Sequence, residues 1–125
     1  MKKMDIRDMS TSALAYLGDS VLEVLVRRHL VESGLSSSKS LNAESLNYVS
    51  AKAQAEAMKN ILELLTEEEE GYFRRGRNIG HTNTPKSATV SEYRSATGME
   101  TLFGYLHLTG QSERAEELFL KAYRL

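Results

Sequence analysis

No cysteine occurs among the 125 residues, which excludes a disulfide framework, a thiolate nucleophile and a cysteine-ligated metal. Tryptophan is also absent, and the most polar stretch of the chain holds few aromatic residues. Single-stranded nucleic-acid binding by base stacking is therefore disfavoured. Proline occurs once, at Pro85, so most of the chain carries no helix breaker of that kind. Neither sign of charge predominates: 16 Lys and Arg stand against 17 Asp and Glu, for a net charge of −1. That excludes a polybasic chain but not a local basic patch. No apolar run approaches the roughly 18–20 residues of a membrane span. Met1 to Asp8 alternates charged and apolar residues, unlike a secretory signal. The expectation is a cytoplasmic protein with no membrane partner.

The residues that are present describe a helical protein. Hydrophobic residues make up 41% and charged residues 26%, a globular balance, and the length suits one domain spanning residues 1–125. Ala, Leu, Glu, Lys and Arg dominate, and period-two runs of β-branched residues are lacking. Leu14, Leu17, Val21, Val24 or Leu25, and Arg28 recur at helical spacing, with Ser10, Thr11 or Ser12 as cap and Gly34 at the end. A second series runs Leu41, Leu46, Val49, Ala53, Ala57, Ile61 and Leu64; Ser40 is the predicted cap, with a break near Asn47. Thr66 and Glu69 form a capping box, and the acids Glu67 to Glu70 read as a helix start rather than a metal site. Gly76, Gly80 and Pro85 then interrupt the pattern, and helix resumes near Ser91 with Met99, Leu102, Phe103 and Leu106 on one side. Gly110 stops that helix, and Ser112 is the predicted cap of a last one. The fold class is all-α, about six helices.

Three features depart from plain helix. Gly18 and Asp19 lie inside an apolar helix, where glycine costs about 1 kcal/mol against alanine and suggests close backbone approach. Asp19 is either an acid at the core edge or a solvent-facing residue paired with a neighbouring base. Glu23, four residues before Arg27, reads as half of a helix ion pair. Glu100 stands between Gly98 and Gly104, where another helix or a ligand can come close. Spacing alone does not pair it with Asp19. Finally, residues 73–95 carry Arg74, Arg75, Arg77, Lys86 and Arg94 against the single acid Glu92, with a positive loop over about 76–90. Asn78, His81, Thr82, Asn83, Thr84 and Tyr93 add groups that bind phosphate or sugar oxygens. Such a set suits the backbone of a duplex better than base edges, the alternative being an ordinary solvated loop. His29, His81 and His107 lack the spacing of a helical metal site.

The segment Leu14-Ala15-Tyr16-Leu17-Gly18-Asp19-Ser20-Val21-Leu22 resembles the signature helix of the ribonuclease III catalytic domain. Ala96 to Leu108 is similar to that family's second acidic helix, with Glu100 at its metal-binding glutamate and Gly104 at its glycine. Arg74-Arg75-Gly76-Arg77-Asn78, Thr84-Pro85-Lys86, Tyr93-Arg94 and Val49 to Ala55 resemble the Mini-ribonuclease III branch. The resemblance implies a homodimeric endonuclease without the appended RNA-binding domain, cleaving double-stranded RNA with Mg2+ in maturation of the 23S ribosomal RNA precursor. It implies Asp19 and Glu100 as catalytic and metal-binding residues. The implied RNA contacts are Arg74, Arg75, Arg77, Asn78, Thr84, Lys86, Tyr93 and Arg94, with Lys52 and Gln54 at an expected helix start. Ribosomal proteins are a further candidate partner. Where larger relatives carry more acids, this chain has Ser12, Ala15 and Thr97, which leaves the metal count open. A non-catalytic RNA-binding module would use the basic segment without the acids, and a purely structural dimer would need neither.

Overall fold

The structure, a computed structural model, describes residues 3–79 and 88–125. Six α-helices follow in order: α1 (Thr11–Glu32), α2 (Ser38–Val49), α3 (Ala51–Ile61), α4 (Glu67–Arg77), α5 (Val90–Leu108) and α6 (Ser112–Ala122). Short 3-10 turns precede α1 at Ile6–Asp8 and follow α3 at Leu62–Leu64. There is no strand among the described residues.

The local signals explain most of these boundaries. Ser10 caps α1 by accepting a hydrogen bond from the Ala13 amide, and Leu14, Leu22, Val26 and Leu30 bury one stripe of that helix. The apolar series from Leu41 to Leu64 divides at Ser50 rather than near Asn47. Ser50 adopts extended backbone, ends α2, and caps α3 through its hydroxyl. The cap of α2 is Ser37, not Ser40; the Ser37 hydroxyl accepts from the Ser40 amide, because the extended residue preceding the first turn is the one that can reach it. The capping box of α4 forms as expected, and a second one, Thr89 with Glu92, opens α5. Ser112 does not cap α6: it is already helical, and Gln111 precedes it without a side-chain bond.

Helix α5 is the axis of the molecule. Its residues from Ala96 to Leu106 are buried apart from Glu100, and α1, α4 and α3 make their most extensive contacts with it. Helix α6 closes the core with Ala115, Leu118, Phe119 and Ala122. Helix α2 buries no residue fully and leans on the rest through Leu41, Tyr48 and Val49. A buried ion pair joins distant segments. Glu69, only 3% exposed, accepts two hydrogen bonds of 2.9 Å from Arg114, whose guanidinium also reaches the Leu64 carbonyl and Glu117. Arg114 holds the Glu69 carboxyl below the usual glutamate range.

Candidate active site

Helices α1 and α5 cross with their backbones in contact. A methyl group placed on Gly18 would overlap the Glu100 carbonyl, and one on Gly104 would overlap the Leu14 carbonyl. Only glycine permits that approach, which is why a residue costly to helix stability stands in the middle of α1. The crossing brings Asp19 of α1 beside Glu100 of α5. Asp19 is exposed, whereas Glu100 is half-buried in an otherwise buried stretch. Burial, and then a hydrogen bond and the like charge of Asp19, push the Glu100 carboxyl up to about 8. Without a cation the pair therefore retains a proton at neutral pH.

Two adjacent oxygen donors, one open to solvent and one desolvated, fit a hard divalent cation. Magnesium keeps several waters and needs only one or two carboxylates from a protein. No group of three or more acidic, histidine or cysteine side chains is gathered among the described residues, and Asp19 and Glu100 are the candidate donors. Of the positions where larger relatives carry acids, Ser12 is exposed, Ala15 is half-buried, and Thr97 is buried with its hydroxyl donating to the Tyr93 carbonyl at 3.1 Å. Glu23 pairs with Arg27 at 3.0 Å, as its spacing predicts.

The basic residues separate by environment. Arg74, Arg75 and Arg77 form the last turn of α4, where cations complement the helix dipole, which takes Arg77 out of the loop expected over about 76–90. Arg74 pairs with Glu70, and Arg77 lies over the Phe73 ring at 5.6 Å, each within its own helix. Among the described residues, Arg75 is the one of the three that reaches another segment, bonding Thr11 and Met9. Lys52, Asn78 and Arg94 are exposed, and Tyr93 is half-buried. Gln54 is a correction: it is 4% exposed, because it shares the inward face of α3 with Ala57, Met58 and Ile61, and it is not placed for contact with RNA. His81, Thr84 and Lys86 lie outside the described residues.

The family model described as Ribonuclease III domain matches residues 12–111. The chain belongs to the ribonuclease III family. Among ribonuclease III relatives, Mini-ribonuclease 3 of Enterococcus faecalis is 48% identical over 116 residues, covering 91% of this chain and 88% of that protein. Mini-ribonuclease 3 of Thermoanaerobacter sp. is 42% identical over 118 residues, covering 94% and 83%. A crystal structure of a Fusobacterium nucleatum protein matches with a TM-score of 0.83 and 33% identity, covering 94% of this chain and 93% of that one. The all-α architecture and the endoribonuclease class, a hydrolase acting on RNA, follow from membership of ribonuclease III. So does a general dependence on a divalent metal. No helix among the described residues is long and apolar enough to cross a membrane.

Three features of this ribonuclease III domain were not read from its sequence. They are the Thr89 capping box, the Glu69–Arg114 pair and the Arg75 link to the entrance of α1. The first had a visible signal, since Thr89 and Glu92 have the same spacing as Thr66 and Glu69. The other two join residues far apart in the chain, which no local pattern shows.

Proposed function

We propose that residues 1–125 form one catalytic domain, a Mg2+-dependent endonuclease that cleaves double-stranded RNA, with Asp19 and Glu100 holding the cation. The observation that carries this reading is the backbone contact at Gly18 and Gly104, which sets two carboxylates side by side at the protein surface. The names of the Mini-ribonuclease 3 relatives support the class of substrate. The resemblance to that branch supports the 23S ribosomal RNA precursor as the natural RNA, the cytoplasm as the location, and ribosomal proteins as further partners.

Asp19, on the exposed side, faces the space a phosphodiester must enter, while Glu100 holds the second donor oxygen where water is partly excluded. Ionisation of Glu100 costs least when a positive charge replaces its proton. A divalent cation bound there supplies Lewis-acid activation of water and offsets charge on the phosphate. Arg74, Arg77, Asn78, Lys52 and Arg94, with Tyr93, Thr84 and Lys86, hold the RNA backbone. The Glu70 partner of Arg74 is exposed, an ion pair worth about 0–1 kcal/mol, which an RNA phosphate can replace.

The working unit is a homodimer. A mainly apolar groove of about 350 Å³ lies between α1, through Leu17, Val21, Val24 and Leu25, and the α5–α6 junction at His107 and Ala115, and Val24 is 65% exposed. A second copy covering it would double the basic surface along one duplex. The test is cleavage of an end-labelled RNA duplex, with Mg2+ and with chelator, by the parent chain and by Asp19→Asn. Magnesium-dependent cutting of both strands, lost in the variant while RNA binding and helix content persist, is the expected result. Full activity of Asp19→Asn would overturn the site.

A further inference from the structure

Arg74, Arg75 and Arg77 look alike in sequence, but among the described residues only Arg75 bonds outside its own helix. Its Nε donates to Thr11 Oγ1 at 3.2 Å, and a terminal nitrogen donates to the Met9 carbonyl at 3.3 Å. Its guanidinium also lies over the Tyr72 ring, 5.1 Å from the centroid. Tyr72 in turn stacks on Tyr105 of α5, with 4.1 Å between centroids. At the adjoining residue, Gly76, α4 meets α5 so closely that a methyl group would overlap Thr101 and Gly98, the residues flanking Met99 and Glu100. The last turn of α4 therefore touches both helices that carry the acids: α5 through Gly76 and the stacked tyrosines, and the entrance to α1 through Arg75.

The α1–α5 crossing fixes how close those two helices come. Sliding or rotation of α1 along α5 is a separate freedom, and α1 and α4 otherwise share little contact. We propose that Arg75 is a positioning residue rather than a phosphate contact. It ties α4 to the start of α1 and so holds Asp19 in register with Glu100. The inference rests on the reading of those two acids as the site. Both acceptors of Arg75 are neutral, so the link depends on the two-pronged guanidinium more than on charge.

The test uses the full chain with Arg75→Ala, Arg75→Lys and Thr11→Val, each assayed well below its own melting temperature. Two quantities are read: the single-turnover cleavage rate at saturating RNA duplex with Mg2+, and duplex affinity in chelator over a salt series. In Arg75→Ala the saturating rate should fall about tenfold, the scale of a small misplacement of reacting groups. Affinity should stay within about twofold, with an unchanged salt slope, because no phosphate contact is lost. Thr11→Val, which keeps the side-chain shape and removes one acceptor, should show part of the same rate loss. The double variant should be no slower than Arg75→Ala, and lysine should restore part of the rate. Weakened binding with a flatter salt slope and an unchanged saturating rate would make Arg75 a phosphate contact and overturn the proposal. Unchanged rate and affinity would overturn it as well. Asp19→Asn run alongside separates the two levels, since a parent-like rate there would remove the site itself.

Discussion

Glu69 and Glu100 are the same residue type, each withdrawn from water at the junction of two helices, and they ionise in opposite directions. Glu69 meets the forked guanidinium of Arg114 and the Thr66 amide, and its carboxyl is held below the ordinary range. Glu100 meets another carboxylate, and its proton stays on to about pH 8. Burial alone raises the pKa of either group; the neighbour decides the outcome. A carboxylate whose charge is already matched inside the chain joins α4 to α6. One left unmatched beside a second acid is available to a cation from solution.

The sharpest way to break this contrast is to remove each charge in turn. Glu100→Gln should lower cleavage by at least about a hundredfold, the scale of losing one charge-stabilising group, and leave the melting temperature at pH 8 unchanged or higher. Glu69→Gln should do the reverse. It strands Arg114 without its main partner, costing about 2 kcal/mol, or roughly 8 °C in melting temperature, while cleavage below that temperature persists. Cleavage assays and thermal melts on the two variants decide the matter, and equal effects of both on activity would erase the distinction.

A smaller effect is expected in the pH dependence of stability. The Glu69 contribution is complete above the ordinary glutamate value of 4.5 and is lost as pH falls through its lowered folded value. The Glu100 contribution has the opposite sign. It is complete below 4.5 and is lost as pH rises towards 8, so the metal-free chain should weaken across that window. Melting in chelator from pH 4 to 9 should show that slope in the parent and not in Glu100→Gln. Divalent-cation affinity should rise over the same window, because binding displaces the proton. Smallest of all, Thr89→Ala removes the cap of the helix that carries Glu100. It should cost about 1 kcal/mol in chemical denaturation without changing the chemistry at the site.

Much of the fold could be read along the chain because caps and apolar stripes are local. Ser10 and the Thr66 box start α1 and α4 as expected. Local pattern is ambiguous where several residues offer the same chemistry. Ser36, Ser37, Ser38 and Ser40 can all cap, and only backbone geometry selects Ser37. Thr89 falls inside the loop expected over about 76–90, where its spacing to Glu92 does not stand out. Gln54 lies among small alanines that suit either an inward or an outward face, and packing against α5 turned it inward. The acids are the instructive case. Mid-helix glycine at Gly18 announced a close approach but did not name the partner; the pairing with Glu100 came from a family resemblance, and the structure supplies its physical cause. Arg75 was legible as a cation and not as a tie, since its acceptors lie 64 and 66 residues earlier in the chain.

The contact of bare backbone at Gly18 and Gly104 also bears on how the molecule fails when heated. Long side chains between two helices can swing and let a cleft widen gradually, but here the backbones lie so close that no room is left for even a methyl group. The gap between the two helices has no intermediate setting. With Arg75 holding the register, warming should leave the carboxylate spacing intact until α1 and α5 part altogether, so that catalytic death and loss of helix arrive at one temperature.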